Sequence, residues 1–357
     1  MKAATVPVIK VPFFISHQGC PHRCVFCDQR IISSSAGALP TAGDILQKVA
    51  QWERSAKGRS LEVAYFGGTF SALPLGDQQK LLEPLQPLLK SGRVESVRVS
   101  TRPDAITPQV VRRLSDYGVR TIELGVQSMD DDVLELTGRG YDRSCVEQTI
   151  GWIMDGGLSV VAQLMPGLPG DSAEKSMMSL RQVIAAGVRQ VRIYPVVVLA
   201  GTVLADMCRD GLYRPLELSE GIAISKRMLL HAMRNGVDVI RIGLQADEGL
   251  NTANILAGCW HPAFGQLVRS ELFYDLLLQT LPCLGLENSV SIACHPGRVS
   301  DLLGHGRRNQ LRLSDLGVEL ERIIADPELS PDAVVVHDIN HHFKLSTLTD
   351  LDYGDFL

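Results

Sequence analysis

Short apolar runs and helical patterns take turns along most of this chain, and that alternation limits the fold more than any other feature. The runs "VPFFIS", "LEVAYFGG", "VESVRVS", "VRTIELGV", "LSVVAQLMPG" and "VRQVRIYPVV" are separated by "GDILQKVAQWERS", "GDQQKLLEPLQPLLKSG", "TPQVVRRLSDYG", "DDDVLELTG" and "EKSMMSLRQVIAAG". Strand followed by helix, repeated about six times, requires a parallel sheet with right-handed crossovers. Several runs are nearly continuous in apolar residues, as expected of strands covered on both faces. The 357 residues, 45% of them hydrophobic, suffice for a large core in one big domain or two. The expected fold is α/β, a β/α barrel or partial barrel.

In such a fold the reactive groups collect on loops after the C-terminal ends of strands. Those ends carry His17 to Cys27, "GGTF", "STRPD", "GVQS" and "LMPGLPG", which are polar and glycine-rich. The first loop, "HQGCPHRCVFC", sets Cys20, Cys24 and Cys27 at C-x3-C-x2-C. Three thiolates are soft ligands suited to an iron–sulfur cluster, and a four-iron cluster so held keeps one iron without a protein ligand. A zinc site completed by His17 or His22 is the alternative, with three unrelated buried cysteines as another.

The C-x3-C-x2-C loop, with aromatic Phe26 before its third cysteine, resembles the signature of the radical S-adenosylmethionine (SAM) superfamily. The resemblance implies a radical SAM partial (β/α)6 TIM-like barrel with a small C-terminal α/β extension. It also implies that Cys20, Cys24 and Cys27 bind a [4Fe–4S] cluster whose fourth iron takes the amine and carboxylate of SAM. The reduced cluster would then cleave SAM to methionine and a 5′-deoxyadenosyl radical. A reducing electron donor such as flavodoxin or ferredoxin is an expected partner.

Further motifs extend the resemblance. "YFGGTF" is similar to the family's Gly-Gly motif, which assigns Gly67, Gly68 and Thr69 to the methionine amino group, and glycine allows close backbone approach. "RVSTRPDAI" and "ELGVQSMDDDVLELTGRGYDR" resemble the subgroup of oxygen-independent coproporphyrinogen oxidase and the Elongator catalytic subunit. Their SAM contacts map to Ser100 or Thr101, Gln127 and Arg139. An arginine fork suits a carboxylate, and Gln127 offers a ribose both donor and acceptor. "QLMPGLPGDS" puts Gln163 where the subgroup often has an acid, which leaves hydrogen bonding but removes a charge; Met165 would support the adenine. Taken alone, Gly-Gly also fits a tight turn, Arg139 a solvated surface residue and Met165 plain packing.

Within the subgroup the likeness leans to the Elongator catalytic subunit over about residues 10 to 250. The tail offers too little sequence for an acetyltransferase fold and no R-x-x-G-x-G/A loop for a CoA pyrophosphate. The two-domain wobble-uridine reaction is therefore not carried over. RNA (tRNA or rRNA) is the expected substrate, a tetrapyrrole or other small molecule the alternative. An iron–sulfur electron carrier or non-catalytic binding module is the reading from another class. The Gly-Gly motif, Gln127 and Arg139 argue against that reading, because a carrier has no use for a SAM pocket.

The net charge of −5 argues against a generally basic surface, and "GHGRRNQLRL" is the clear basic segment, where Arg307 and Arg308 could grip RNA phosphate or simply face solvent. Eight cysteines are too few for a disulfide scaffold, "MKAATVPVIK" is no signal peptide, and "VRIYPVVVLAG" is too short to span a membrane. The expectation is a cytoplasmic protein without a membrane partner. Residues 1–245 are expected as the radical SAM core and 246–357 as a capping, substrate-facing region. In the latter, "ADEGLNTANILAGCWHPAFGQLVRSELFYDLLLQTL" is expected to end in an amphipathic helix over the open side of the barrel. The remainder reads as strand, helix, helix and strand in a unit of roughly 75 residues. Cys259, Trp260 and His261 with Cys294 and His295 lack metal-loop spacing, so core packing or pocket lining is expected there. His337, His341 and His342 read as surface residues.

Overall fold

Neighbouring side chains of the apolar runs point to opposite faces of one parallel sheet. The computed structural model describes residues 8–21, 23–28, 38–244, 253–284, 289–338 and 343–353. Strands β1 (Ile9–Phe14), β2 (Leu61–Phe66), β3 (Ser96–Thr101), β4 (Val119–Gln127), β5 (Ser159–Leu164) and β6 (Gln190–Ile193) lie side by side in that order, all parallel. Val63, Tyr65, Val97, Val99, Ile122 and Leu124 belong to the core between sheet and helices. Burial of each such side chain contributes about 1.5–3 kcal/mol.

The crossover helices are α1 (Ala42–Ala56), α2 (Leu75–Leu82), α3 (Gln86–Lys90), α4 (Pro108–Asp116), α5 (Asp131–Leu136), α6 (Arg143–Asp155) and α7 (Ala173–Ala185). Their starts are written locally. Thr41, Thr107, Asp130, Asp142 and Ser172 each accept a bond from the backbone N–H three residues on. Such a cap contributes about 1 kcal/mol.

The sheet's other face is charged where a barrel core would be apolar. Arg98 donates to Glu62 (2.9 Å) and to Glu123 (2.9 Å), and Arg192 grips Glu123 through two nitrogens (3.0 and 2.7 Å). Arg192 also donates to the Tyr194 hydroxyl (3.0 Å). Buried ions persist when paired in this way, whereas removing one partner typically costs about 3–5 kcal/mol.

Two departures from the expected strands have local causes. Pro195 interrupts the run "VRIYPVVVL", so β6 ends at Ile193 and a separate strand, β7 (Val197–Leu199), begins beyond it. After α8 (Val203–Arg209) and α9 (Leu218–Arg234), a seventh parallel strand, β8 (Asp238–Ile242), adds to β6. β7 pairs antiparallel with β9 (Ile255–Gly258) in a two-stranded ribbon.

Helix α10 (Phe264–Thr280) packs beside α9 and contacts β8, so it extends the outer helical layer where a cap over the open side was expected. It is also buried on more than one face, Phe264, Val268, Leu272, Phe273, Leu276 and Leu277 all being inaccessible. Next come β10 (Ser289–Cys294), α11 (Val299–Leu303), α12 (Arg308–Asp315), β11 (Glu319–Ala325), β12 (Ala333–Asp338) and β13 (Phe343–Thr347). Their sheet order is β11-β10-β12-β13, with β10 and β11 parallel and the other pairs antiparallel. The expected strand, helix, helix and strand is thus a four-stranded unit, with β11 and β13 in addition.

Candidate cluster and cofactor site

The cysteine loop leaves β1 and is bound edge to edge to the loop leaving β2. Ile15, His17 and Thr69 donate backbone bonds to Phe66 (2.8 Å), Gly67 (3.2 Å) and Gln18 (2.9 Å). The contact is so close that a Cβ on Gly68 would lie 2.5 Å from the carbonyl oxygens of both Ile15 and Gln18. A Cβ on Gly19 would meet the Thr69 oxygen at 2.3 Å. Glycine at these two positions therefore has a packing reason apart from any ligand.

Phe26 anchors the far end of the loop among Val133, Leu168, Val196, Val198 and Leu204. Val25 donates to Thr137 (3.2 Å) and accepts from Leu204 (2.8 Å), tying the loop to α5 and α8. Cys20 Sγ lies 3.3 Å from the Thr69 hydroxyl. Burial, then the charges of Cys24 and Cys20, push the Cys27 thiol up to about 12, with Arg139 opposing. Three soft donors that repel one another as thiolates suit a cationic iron–sulfur core, which would supply the balancing charge. His17 Nε2 faces Asp28 (3.5 Å), and no group of three metal-binding side chains is arranged for a metal ion among the described residues. His22 lies outside those residues.

Two buried arginines converge on Cys24. Arg139, 4% exposed, donates to Cys24 Sγ (3.0 Å), the Gly125 carbonyl (2.7 Å) and the Tyr141 hydroxyl (2.8 Å). Burial alone would lower its pKa, yet Tyr141 and Cys24 more than compensate and hold it above the usual arginine value. Arg102, equally buried, reaches Cys24 Sγ at 3.7 Å, grips Asp104 through two nitrogens and donates to the Arg139 carbonyl. Arg139 is thus no solvated surface residue. Each of its three nitrogens already has a protein partner, so a carboxylate would share or displace them.

The remaining candidates sit at neighbouring strand ends. Gln127 closes β4 with a left-handed backbone (φ 68°), which turns its side chain toward Gln163, whose Nε2 donates to Gln127 Oε1 (3.3 Å). Met165 donates its N–H to the Gln127 carbonyl (2.9 Å), and its half-buried side chain packs beside the Phe26 cluster. Ser100 is half-buried at the end of β3, and the Thr101 hydroxyl is bonded to that of Ser71 (2.5 Å). Arg102, Tyr141 and Asp171 were not foreseen. Asp171 accepts from the Gly167 N–H (2.7 Å) and the Ser176 hydroxyl (2.6 Å), and burial raises its pKa. All three lie inside motifs already singled out, "STRPD", "RGYDR" and "LPGDS", and that proximity was the available signal.

Cys259 and Cys294 are core residues, as expected. Cys259 donates to the Leu216 and Glu217 carbonyls, Cys294 is buried in β10, and His261 stands edge-on to His305 at 5.2 Å. His337 packs near Phe343, while His341 and His342 lie outside the described residues. No helix among the described residues is long and apolar enough to cross a membrane.

Comparison with known families agrees with this geometry. The Radical SAM superfamily model matches residues 14–182, and the Radical SAM C-terminal domain model matches residues 188–274. The chain belongs to the radical SAM superfamily. It is a radical SAM enzyme, and this superfamily works with a [4Fe–4S] cluster and SAM. An uncharacterized protein of Methanocaldococcus jannaschii is 30% identical over 63% of this chain and 72% of its own length. The tRNA uridine(34) acetyltransferase of Methanocaldococcus infernus is 27% identical over 61% of this chain, which spans 48% of that relative. Among solved structures, the archaeal Elp3 of Methanocaldococcus infernus superposes with a TM-score of 0.57 at 18% identity, covering 96% of this chain and 76% of that one. That likeness concerns the fold.

Proposed function

We propose that this radical SAM enzyme modifies RNA, with Cys20, Cys24 and Cys27 holding the cluster. The observation that carries the substrate class is the 27% identity to a tRNA uridine(34) acetyltransferase across the radical SAM region. When bound and reduced, the cluster supplies the electron that splits SAM into methionine and a 5′-deoxyadenosyl radical.

The chain's own residues then bind and orient. Gly67, Gly68 and Thr69 present backbone to the amino group of SAM, and Ser100 or Thr101, Gln127 and Gln163 offer hydrogen bonds toward its sugar. Met165 gives the adenine an apolar, polarizable neighbour. Arg139 and Arg102 place positive charge beside Cys24 and favour electron uptake. A flavodoxin- or ferredoxin-type donor would deliver that electron.

The test is 5′-deoxyadenosine formation by iron-loaded, reduced protein with and without RNA from its own source. Unmodified tRNA or rRNA is expected to raise the rate by about tenfold or more, because a bound substrate draws the radical step forward. Stimulation by a porphyrinogen or another metabolite, with none by RNA, would replace the proposal by the small-molecule reading.

A further inference from the structure

The C-terminal unit carries a cationic loop whose construction suits a nucleic-acid backbone. α11 and α12 are joined by Gly304, His305, Gly306 and Arg307, and α12 begins at Arg308. Gly304, Gly306 and Arg307 all adopt positive φ (80°, 60° and 62°). A left-handed arginine is uncommon and costs on the order of one hydrogen bond's worth of backbone strain, so the surrounding structure must hold it. The Arg307 N–H is bonded to the Gly304 carbonyl (2.9 Å), and the turn that follows is anchored by Asn309. Buried, it donates to the Ser270 carbonyl (2.8 Å) and the Leu302 carbonyl (3.2 Å), and it sits so close to Gly304 that a Cβ there would touch it at 2.9 Å.

The charges around this loop divide sharply. Arg269 and Arg298 share the Asp301 carboxylate, and Arg312 pairs with Glu271 while lying over the Tyr274 ring. Arg307 and Arg308 are exposed, and neither has an acidic partner among the described residues. In a chain with 40 acidic and 35 basic residues, two adjacent exposed arginines without a carboxylate partner leave a local positive patch. One turn along α12, Leu311 is 61% exposed, which gives an apolar surface beside the charges.

One contact leads from the loop back toward the core. His305 meets His261 edge-on at 5.2 Å, and His261 follows Cys259, whose N–H bonds to Val196 (3.0 Å). Val196 packs with Phe26 of the cysteine loop. The cationic loop is thus linked, through the segment 259–261, to the packing cluster that includes Phe26 of the cysteine loop.

We infer that residues 304–308, with Leu311, clamp the phosphate backbone of the RNA substrate, the arginines holding phosphates and Leu311 meeting a base. This rests on the RNA reading above and names the surface that reading lacks.

The test uses full-length, iron-loaded protein and fluorescently labelled tRNA, titrated between 50 and 200 mM salt by anisotropy, with melting curves to confirm folding. Arg307→Ala with Arg308→Ala is expected to weaken binding about tenfold or more and to flatten the salt slope by about 1.4, two phosphate contacts at roughly 0.7 each for a single strand. Arg308→Glu should weaken it further, and Lys90→Ala, an exposed charge on α3, should leave it alone. If the folded variants bind as the wild type does while the wild type binds tRNA with a normal salt slope, the loop assignment is wrong and the RNA reading stands. If the wild type binds no RNA at all, both fall.

Discussion

Alanine at Cys20, Cys24 or Cys27 is expected to abolish cluster assembly, reducing iron after anaerobic reconstitution from about four per chain to a small residue and removing the broad visible absorption. The loop carries three thiols and no spare. His17 is turned to Asp28, Thr69 offers only a hydroxyl 3.3 Å from Cys20, and oxygen donors suit harder metals. The fold should survive the change, because the loop is tied down by backbone bonds at Ile15, His17, Thr69 and Val25 and by Phe26, none of which involves a cysteine side chain. Retained iron in any one of the three variants, by elemental analysis alongside circular dichroism, would remove that cysteine from the ligand set.

Arg139→Ala is expected to act on two quantities at once, and the second distinguishes this site from a simple carboxylate clamp. The fork now serves Cys24, Gly125 and Tyr141, so truncation removes one of two donors to the Gly125 carbonyl, which keeps the Tyr141 hydroxyl (2.6 Å), and takes from that hydroxyl the N–H it accepts. It also takes a buried positive charge from beside Cys24, a proposed cluster ligand. The cluster's reduction potential, followed by electron paramagnetic resonance, should become more negative by about 59 mV for each tenfold loss in the reduction equilibrium. SAM affinity should fall by about 1.5–3 kcal/mol if the guanidinium also meets the carboxylate. Weaker SAM binding at an unchanged potential would assign Arg139 to SAM alone. A shifted potential at unchanged SAM affinity would assign it to the cluster. Arg139→Lys should rescue little, since one ammonium cannot reproduce three fixed donors.

Much of this site is legible in sequence because its parts are contiguous. The cysteines, Gly67 to Thr69 and Gln127 each sit in a short motif at the end of an apolar run, and the parallel order of the runs brings those ends together. The charged barrel interior is not legible in the same way. Glu62, Arg98, Glu123 and Arg192 look like polar interruptions of "LEVAYF", "SVRVST", "TIELGV" and "QVRI", and nothing local says that each finds its partner on another strand. The seventh strand "DVIRI" is half-exposed, and β11 buries little of its surface, so neither carries the continuous apolar signal that marks the first six. The left-handed backbone of Arg307 (φ 62°), closed by its N–H on the Gly304 carbonyl, has no counterpart in the apolar pattern.

Radical chemistry from SAM is expected to start at the three-cysteine loop. Its most direct measurement is the product analysis of reconstituted, dithionite-reduced protein given SAM without any other substrate. Slow formation of 5′-deoxyadenosine with an equal amount of methionine is expected, lost in the Cys24→Ala variant. Iron-loaded wild-type protein that binds SAM yet yields no 5′-deoxyadenosine, or that yields it equally well without Cys24, would contradict it.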